Sequence, residues 1–295
     1  MCYNHLKKLF ITQSKFGNYC TIRNKYLLAK VRGIQTNADQ RHNTINLSGY
    51  PIRYVKVGQG PHVVFCLPGI LGNMKIHTVS QIQNFDREKF TFVTWDQPGY
   101  AYSAPPERNL NDNSLVEDAE IMIEFMKKLG FPKYSVMGWS GGGCSALLAA
   151  IKHPETIRKL VVWGTFAYVD EHDTKIYEYF QQRKNRGGKM MEMLVDEYGD
   201  EFFDKHFGGW MKVFSRIYTN HGGEFVSKSL DKIKCSTLIL HGSDDGLVSP
   251  KHGEYLNKNI KNSRLVKWEG GKHNLHLRYS DKFNRLVQDF LLEEQ

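Results

Sequence analysis

One serine of the chain lies in a pattern that suits nucleophilic catalysis. Gly138, Trp139, Ser140, Gly141 and Gly142 form the pattern GxSxG. An apolar run precedes the pattern and a helix-forming run follows it, as in a tight turn that presents a nucleophile between a strand and a helix. The glycines let strand and helix approach closely, and the helix N-terminus aims free N–H groups at the serine. Ser140 is the predicted nucleophile; the alternative is an idle serine in a glycine-rich turn.

A serine nucleophile needs a general base, and His273 is the favoured one. It follows the apolar run Arg264–Trp268 and two glycines that let the loop fold back toward Ser140. His241 and His276 are competitors. His276 is better explained as a packing residue near a helix start.

Two adjacent acids, Asp244 and Asp245, compete to orient the histidine. Neighbouring side chains at the end of a strand point in opposite directions, so at most one of them faces the base. We favour Asp245 because of its place in the pattern HGxxDxxV, and we interpret Asp244 as a loop-capping or exposed residue. The predicted catalytic residues are therefore Ser140, Asp245 and His273.

The developing oxyanion of an acyl-transfer reaction needs two backbone donors. The first is the N–H of Gly141, directly after the nucleophile. The second is expected in the loop Leu67–Gly72, where we choose Ile70 and keep Leu71 as the alternative. This chemistry uses no cofactor, and no third ligand near His273 suggests a metal.

Segments that resemble strands and helices alternate from about residue 43 onward, which would position these residues. The predicted strands are Ile45–Leu47, Pro51–Val57, His62–Leu67, Phe90–Trp95, Tyr134–Gly138, Leu160–Trp163, Thr237–His241 and Arg264–Trp268. The predicted helices are Leu115–Leu129, Gly142–Lys152, Lys251–Asn259 and Asp281–Leu292. The alternation predicts an α/β fold with a mostly parallel, doubly wound sheet. Residues of about 165–228 are helical, aromatic and charged, and we expect them to form a cap inserted over the sheet.

The positive charge of the chain is concentrated at its beginning. Its 295 residues carry a net charge of +9, yet residues 1–38 hold seven cations and no acid. The remainder is nearly balanced, so a nucleic-acid partner is not expected. No apolar stretch is long enough for a membrane span. Five widely spaced cysteines without a CxxC pattern argue against a disulfide scaffold or a zinc cage, and for a reducing compartment.

The basic, acid-free and hydroxyl-containing composition of residues 1–38 is typical of a mitochondrial transit peptide. Arg32 lies two residues before a possible cut after Gly33. The alternative is a basic N-terminus without a targeting role, on a cytoplasmic protein.

Longer motifs make the sequence similar to a known family over residues 43–293. These motifs are LPGILG, TWDQPGYAYSAPPER, GWSGGG, VVWGTFAYV, LILHGSDDGLVSP and EGGKHNLHLRYSDKFN. They resemble the α/β-hydrolase fold superfamily and, within it, the biphenyl hydrolase-like (valacyclovir hydrolase) subfamily. The resemblance implies a Ser140–Asp245–His273 triad, a helical cap, a mitochondrial setting and hydrolysis of α-amino acid esters.

The residue after the nucleophile departs from that family's pattern. An acid at this position pairs with the α-ammonium group of the substrate in the family's best-known member, whereas this chain has Gly141. Asp170, Glu171 or Asp173 of the cap could supply the missing charge, or could be ordinary surface acids. Several cap aromatics suit an apolar acyl or leaving group and equally suit packing within the cap: Phe166, Tyr168, Tyr177, Tyr179, Phe180, Trp210 and Phe214.

These observations predict a monomeric serine hydrolase with a small-molecule carboxylic ester as its substrate and an acyl-enzyme intermediate. Two alternatives stay open. The same triad could cleave carbon–carbon bonds or thioesters, or the fold could serve as a non-catalytic ligand receptor. Epoxide hydrolysis and dehalogenation are disfavoured because their nucleophile is an aspartate.

Overall fold

The apolar runs of the sequence become the strands of one eight-stranded sheet. The computed structural model describes residues 42–294. The strands are β1 (Asn43–Leu47), β2 (Tyr50–Val57), β3 (His62–Leu67), β4 (Phe90–Trp95), β5 (Tyr134–Trp139), β6 (Ile157–Trp163), β7 (Ser236–Gly242) and β8 (Ser263–Trp268). Their order across the sheet is β1-β2-β4-β3-β5-β6-β7-β8. The transit peptide predicted for residues 1–38 lies outside the described residues.

Helices cover both faces of the sheet and build the insertion between β6 and β7. They are α1 (Met74–His77), α2 (Val79–Asn84), α3 (Ser114–Lys128), α4 (Gly141–Lys152), α5 (Glu171–Gln181), α6 (Lys189–Tyr198), α7 (Asp200–His221), α8 (Lys251–Asn259), α9 (Leu275–Arg278) and α10 (Ser280–Leu292). In the part of the chain that the structure describes, no helix has both the length and the apolarity needed to cross a bilayer.

The sheet is parallel from β4 to β8 and antiparallel at the edge formed by β1 and β2. All side chains of β4 and β5 are buried, as expected for central strands covered on both faces. The edge hairpin turns at Ser48 and Gly49, whose φ angles are 50° and 83°. Two successive positive φ angles match the right-handed twist of the flanking strands. The predicted α/β class and mostly parallel sheet are confirmed.

The largest differences from the predicted elements have local causes. Strand β6 begins at Ile157, three residues before the predicted start. The prediction began too late because Lys159 interrupts the apolar run of the sequence. The aliphatic stem of Lys159 is buried, and its ammonium group donates to the carbonyl oxygen of Phe290, 2.8 Å away. Helices α1 and α2 were not predicted, since they are only four and six residues long and show no helical period.

The insertion between β6 and β7 carries α5, α6 and α7. Aromatic rings join it to the sheet: Phe166, just after β6, meets Phe214 of α7 with ring centroids 5.4 Å apart. Tyr177 of α5 packs on the same Phe214 ring, also at 5.4 Å. The insertion is therefore anchored by a buried aromatic cluster that lies beside the carboxyl ends of the parallel strands.

Candidate active site

Ser140 occupies a sharp turn between β5 and α4. Its φ and ψ angles are 55° and −122°, a region that residues with a side chain avoid, and its N–H donates to the carbonyl of Trp163 at 3.0 Å. Such strain costs about 1–3 kcal/mol and persists only where the surroundings enforce it. A Cβ atom at Gly138 would clash with the Gly142 carbonyl, and one at Gly142 would clash with the Pro68 carbonyl. The glycines are required by this close packing.

Thr165 braces the turn from the neighbouring strand end. Its hydroxyl donates to the carbonyl of Ser140 at 3.0 Å, and the thiol of Cys144 lies 3.1 Å from the same hydroxyl. Burial raises the pKa of Cys144 to about 12. Cys144 is therefore a neutral packing residue beside the turn that carries Ser140.

Asp245 and His273 form a direct pair at the ends of β7 and β8. The Nδ1 atom of His273 lies 2.8 Å from Oδ2 of Asp245. The other oxygen, Oδ1, accepts the N–H groups of Leu247 and Val248, each at 3.0 Å. Burial alone would raise the pKa of Asp245, but the charge and hydrogen bond of His273 outweigh it, so the pKa is lowered. Asp245 is thus an ionised carboxylate held to one ring nitrogen, which leaves Nε2 of His273 available.

Asp244 faces away from this pair. It is exposed, and its carboxylate accepts the hydroxyl of Ser243 at 3.0 Å. Its own N–H donates to the carbonyl of Gly271 at 2.8 Å, which ties the two loops together. Asp244 therefore supports the loop that carries His273 and makes no contact with the ring.

The two competing histidines are occupied elsewhere. His241 is buried and its Nε2–H donates to the carbonyl of Val248 at 2.9 Å. His276 accepts the indole N–H of Trp163 on Nδ1 and donates from Nε2 to the carbonyl of His77, both at 2.9 Å. Burial lowers the pKa of both histidines, so both are neutral. Both ring nitrogens of His276 have partners, and Nε2 of His241, bound to Val248, also lies 3.6 Å from Oδ2 of Asp245.

Two contacts bring the His273 ring next to the turn that carries Ser140. The indole N–H of Trp139 donates to the carbonyl of His273 at 2.9 Å. A Cβ atom at Gly164 would lie 3.1 Å from both Cε1 and Nδ1 of the His273 ring. The His273 ring therefore lies beside Gly164, just after the end of β6. Gly164 directly follows Trp163, whose carbonyl accepts the N–H of Ser140.

The two predicted oxyanion donors lie side by side. The N–H of Ile70 points at no acceptor within residues 42–294. Its nitrogen lies 3.6 Å from the position of a Cβ atom on Gly141, the first residue of α4. The neighbouring Leu71 has a φ angle of 57°. Two free backbone N–H groups beside Ser140 are the arrangement that a tetrahedral oxyanion requires.

The side chain of Ile70 fills the space that a side chain on Gly141, the residue after Ser140, would occupy. A Cβ atom on Gly141 would lie 2.7 Å from Cγ2 of Ile70 and 3.9 Å from Cδ2 of Leu115. A side chain at position 141 therefore requires Ile70 to move. The site has an aliphatic wall in place of a carboxylate.

The three cap acids that could replace this carboxylate all have basic partners. Asp170 lies 2.6 Å from Lys251, and Glu171 lies 2.7 Å from Lys175 on the exposed face of α5. Asp173 is buried against His252, with Oδ2 3.0 Å from Nε2. None of them is left with an unpaired charge.

Three supporting residues were missed by sequence reasoning: Trp139, Gly164 and Thr165. Trp139 stands inside the GxSxG pattern, so its position was a usable signal. Gly164 and Thr165 follow an apolar strand directly, where site residues collect in parallel sheets. Within the described residues no cluster of metal-binding side chains is present.

The chain is similar to known proteins in sequence and in fold. The α/β hydrolase fold family is matched over residues 62–192. The serine hydrolase BPHL of Mus musculus is 40% identical over 247 residues, which cover 84% of this chain and 85% of that protein. The Homo sapiens protein of the same name is 37% identical over the same shares. The crystal structure of an enol-lactonase from Burkholderia xenovorans LB400 superimposes with a TM-score of 0.68 at 15% identity, covering 85% of this chain and all of that one.

Proposed function

From the premise that this chain belongs to the α/β-hydrolase fold family and is a serine hydrolase, we propose that it cleaves carboxylic esters of small molecules through Ser140, His273 and Asp245. The observation that carries the proposal is the 2.8 Å hydrogen bond between Asp245 and Nδ1 of His273, beside a serine held at a φ angle of 55°. The strained backbone at Ser140 costs free energy, and a protein that only binds a ligand has no need of it beside an acid and a base.

The proposed reaction has two steps. Nε2 of His273 removes the proton of Ser140 as the hydroxyl attacks the ester carbonyl, and then gives that proton to the leaving alcohol. The N–H groups of Gly141 and Ile70 stabilise the oxyanion of the tetrahedral intermediate. Water, activated by the same histidine, then releases the acid from Ser140. Asp245 stays ionised and stabilises the imidazolium in both steps.

We also propose that the enzyme discriminates weakly between α-amino esters and plain esters. A bound ammonium group loses hydration and needs a charged partner in return. Gly141 supplies none, Ile70 occupies the space beside it, and Asp170 and Asp173 are already bound to basic side chains. Neutral acyl groups have no such requirement, so we expect them to be hydrolysed about as well as amino-acyl groups.

A hydrolysis panel tests the substrate proposal. Ethyl and aryl esters of phenylalanine and valine are compared with their des-amino analogues, together with a thioester and a vinylogous keto acid. We expect turnover of esters, with kcat/KM ratios between amino and des-amino pairs within about tenfold. A hundredfold preference for amino esters would place an ammonium anchor elsewhere, and turnover of only the thioester or the keto acid would replace the proposed reaction.

For the N-terminal segment we propose mitochondrial delivery of a monomeric enzyme. The support is the composition of residues 1–38, with seven cations and no acid. A chain that starts at Ile34 should keep its melting temperature and esterase activity, whereas the full chain fused to a fluorescent protein should enter mitochondria. Cytosolic fluorescence would contradict the proposed location, and the mass from sedimentation would report the oligomeric state.

A further inference from the structure

The C-terminal end of helix α6 is hydrogen-bonded to the loop that contains Ile70, the proposed second oxyanion donor. The hydroxyl of Tyr198, the last residue of α6, donates to the carbonyl of Leu71 at 3.0 Å. The preceding Glu197 forms an ion pair of 3.0 Å with Lys75 in α1, just beyond the loop. Residues far apart in sequence thus join the cap to the segment that begins at Ile70.

Leu71 needs such a partner. Its φ angle of 57° is a conformation that side chains with a Cβ rarely adopt, and Leu71 is fully buried. The next residue, Gly72, is fixed on both sides by Gln97: its N–H donates to Oε1 at 3.2 Å, and its carbonyl accepts the Gln97 N–H at 3.0 Å. The Leu71 carbonyl of the same turn accepts its hydrogen bond from Tyr198.

The Tyr198 ring is held in place for this contact. It stacks on Phe202 of α7, with centroids 5.1 Å apart and an angle of 17° between the planes. It also meets the edge of Tyr100 at 6.5 Å.

The peptide that carries the Ile70 N–H is linked to the Leu71 carbonyl by the φ and ψ angles of Ile70 and Leu71. Rotation about these bonds turns the N–H away from Ser140, and the N–H has no other partner in the described residues to resist it. Fixing the carbonyl of Leu71 therefore limits the directions that the N–H of Ile70 can take.

We propose that Tyr198 is a positioning residue that holds the Leu71 carbonyl, and through it the Ile70 N–H, in the orientation that the oxyanion needs. The cap then completes the oxyanion hole when α6 is docked, besides covering the site. This inference rests on the proposed function, because it gives Ile70 the role of oxyanion donor.

The test compares Tyr198→Phe with the matched control Glu197→Gln. Both changes loosen the same end of α6, but only Tyr198→Phe removes the donor to the loop carbonyl. Each protein is assayed for ester hydrolysis, for inhibition by phenylboronic acid, which forms a tetrahedral adduct on a catalytic serine, and for its melting temperature.

For Tyr198→Phe we expect kcat to fall about tenfold with KM within about twofold, and the inhibition constant of phenylboronic acid to rise about tenfold. Glu197→Gln should leave all three values within about twofold. Equal losses in both variants, or a lower kcat with unchanged boronate affinity, would reduce Tyr198 to a structural tether and overturn the inference.

Labelling of the unsubstituted protein by a fluorophosphonate separates this failure from failure of the proposed function. If the unsubstituted protein is labelled and Tyr198→Phe is labelled at the same rate, the nucleophile is present and only the positioning role of Tyr198 is refuted. A protein that takes up no label lacks the nucleophile, and both proposals fall. If Tyr198→Phe unfolds during purification, Tyr198→His keeps a ring with a polar donor, and at least partial recovery of boronate affinity is then required.

Discussion

The indole N–H of Trp139 donates to the carbonyl oxygen of His273 across 2.9 Å. The residue directly before Ser140, the proposed nucleophile, thus binds the backbone of His273, the proposed base. The two residues come from strand β5 and from the loop after β8, which are not neighbours in the sheet. The contact ties the loop that carries His273 to the residue before Ser140, and it uses neither the hydroxyl of Ser140 nor the imidazole of His273.

Replacing Trp139 with Phe should therefore lower catalysis more than stability. The variant loses one hydrogen bond to the His273 loop, and we expect kcat to fall about tenfold, since small displacements of a base are costly. Trp163→Phe is the matched control, because Trp163 donates to His276 instead. Steady-state kinetics and thermal unfolding of both variants make the comparison. Parallel losses in the two variants would show that only packing is at stake.

The two adjacent aspartates should differ sharply in kinetic effect. Asp245→Asn removes the charge that stabilises the imidazolium of His273, so we expect kcat to fall by roughly 10³- to 10⁴-fold. Asp244→Asn should stay within about threefold, because Asp244 is exposed and contacts Ser243. Rates on one activated ester are sufficient. The reverse order would mean that the wrong carboxylate has been assigned.

Introducing an acid after the nucleophile should require room for its side chain. Gly141→Asp alone meets Cγ2 of Ile70 at 2.7 Å, so we expect lower activity on all esters. In an Ile70→Ala background the carboxylate fits, and a charge-assisted contact of about 1.5–3 kcal/mol should favour amino esters over des-amino analogues by at least about tenfold. The ratio of kcat/KM values reports it. An unchanged ratio in the double variant would show that position 141 does not face the acyl group.

The buried pair of Asp173 and His252 should stabilise the attachment of α5 to α8 in a pH-dependent way. Burial alone would raise the pKa of Asp173, but the hydrogen bond and charge of His252 lower it to about 2, below the value of about 3.9 in an unfolded chain. Its contribution is therefore present above about pH 4 and is lost as the pH falls toward 2.

Asp173→Asn should consequently lower the free energy of unfolding by about 1–2 kcal/mol at pH 7, and the difference from the unsubstituted protein should shrink below pH 4. Glu171→Gln, which breaks only an exposed ion pair with Lys175, should change it by less than about 0.5 kcal/mol. Urea unfolding at pH 7, 5, 4 and 3 measures both. A difference that stays constant with pH would exclude the ionised carboxylate of Asp173 as its source.

Sequence reasoning reached furthest where the chain is locally uniform. The run Phe90–Trp95 became β4 without a shift at either end, because apolar and β-branched residues fill a strand that is buried on both faces. Lys159 interrupts such a run, and the predicted start of β6 was therefore three residues too late. The periodicity of a sequence cannot show that a lysine stem will be buried when its ammonium group reaches a distant carbonyl.

The contacts between distant segments were beyond such reasoning. The GxSxG pattern contains Gly141, but nothing near it indicates that a methyl group of Ile70 fills the adjoining space. In the same way, Tyr198 and Leu71 lie 127 positions apart, and their contact depends on the path of the cap helices. Short motifs indicate which chemistry is present, whereas the tertiary path decides which groups position it.

The central claim is that Ser140 is acylated during turnover, and mass spectrometry of a covalent adduct tests it most directly. The unsubstituted protein and Ser140→Ala are treated with a fluorophosphonate and digested, and esterase activity is followed alongside. We predict one adduct, on the peptide that contains Ser140, with loss of activity in step with labelling. Ser140→Ala should remain folded, carry no adduct and lose several orders of magnitude in kcat. An adduct at another residue, or full activity in Ser140→Ala, would contradict the account.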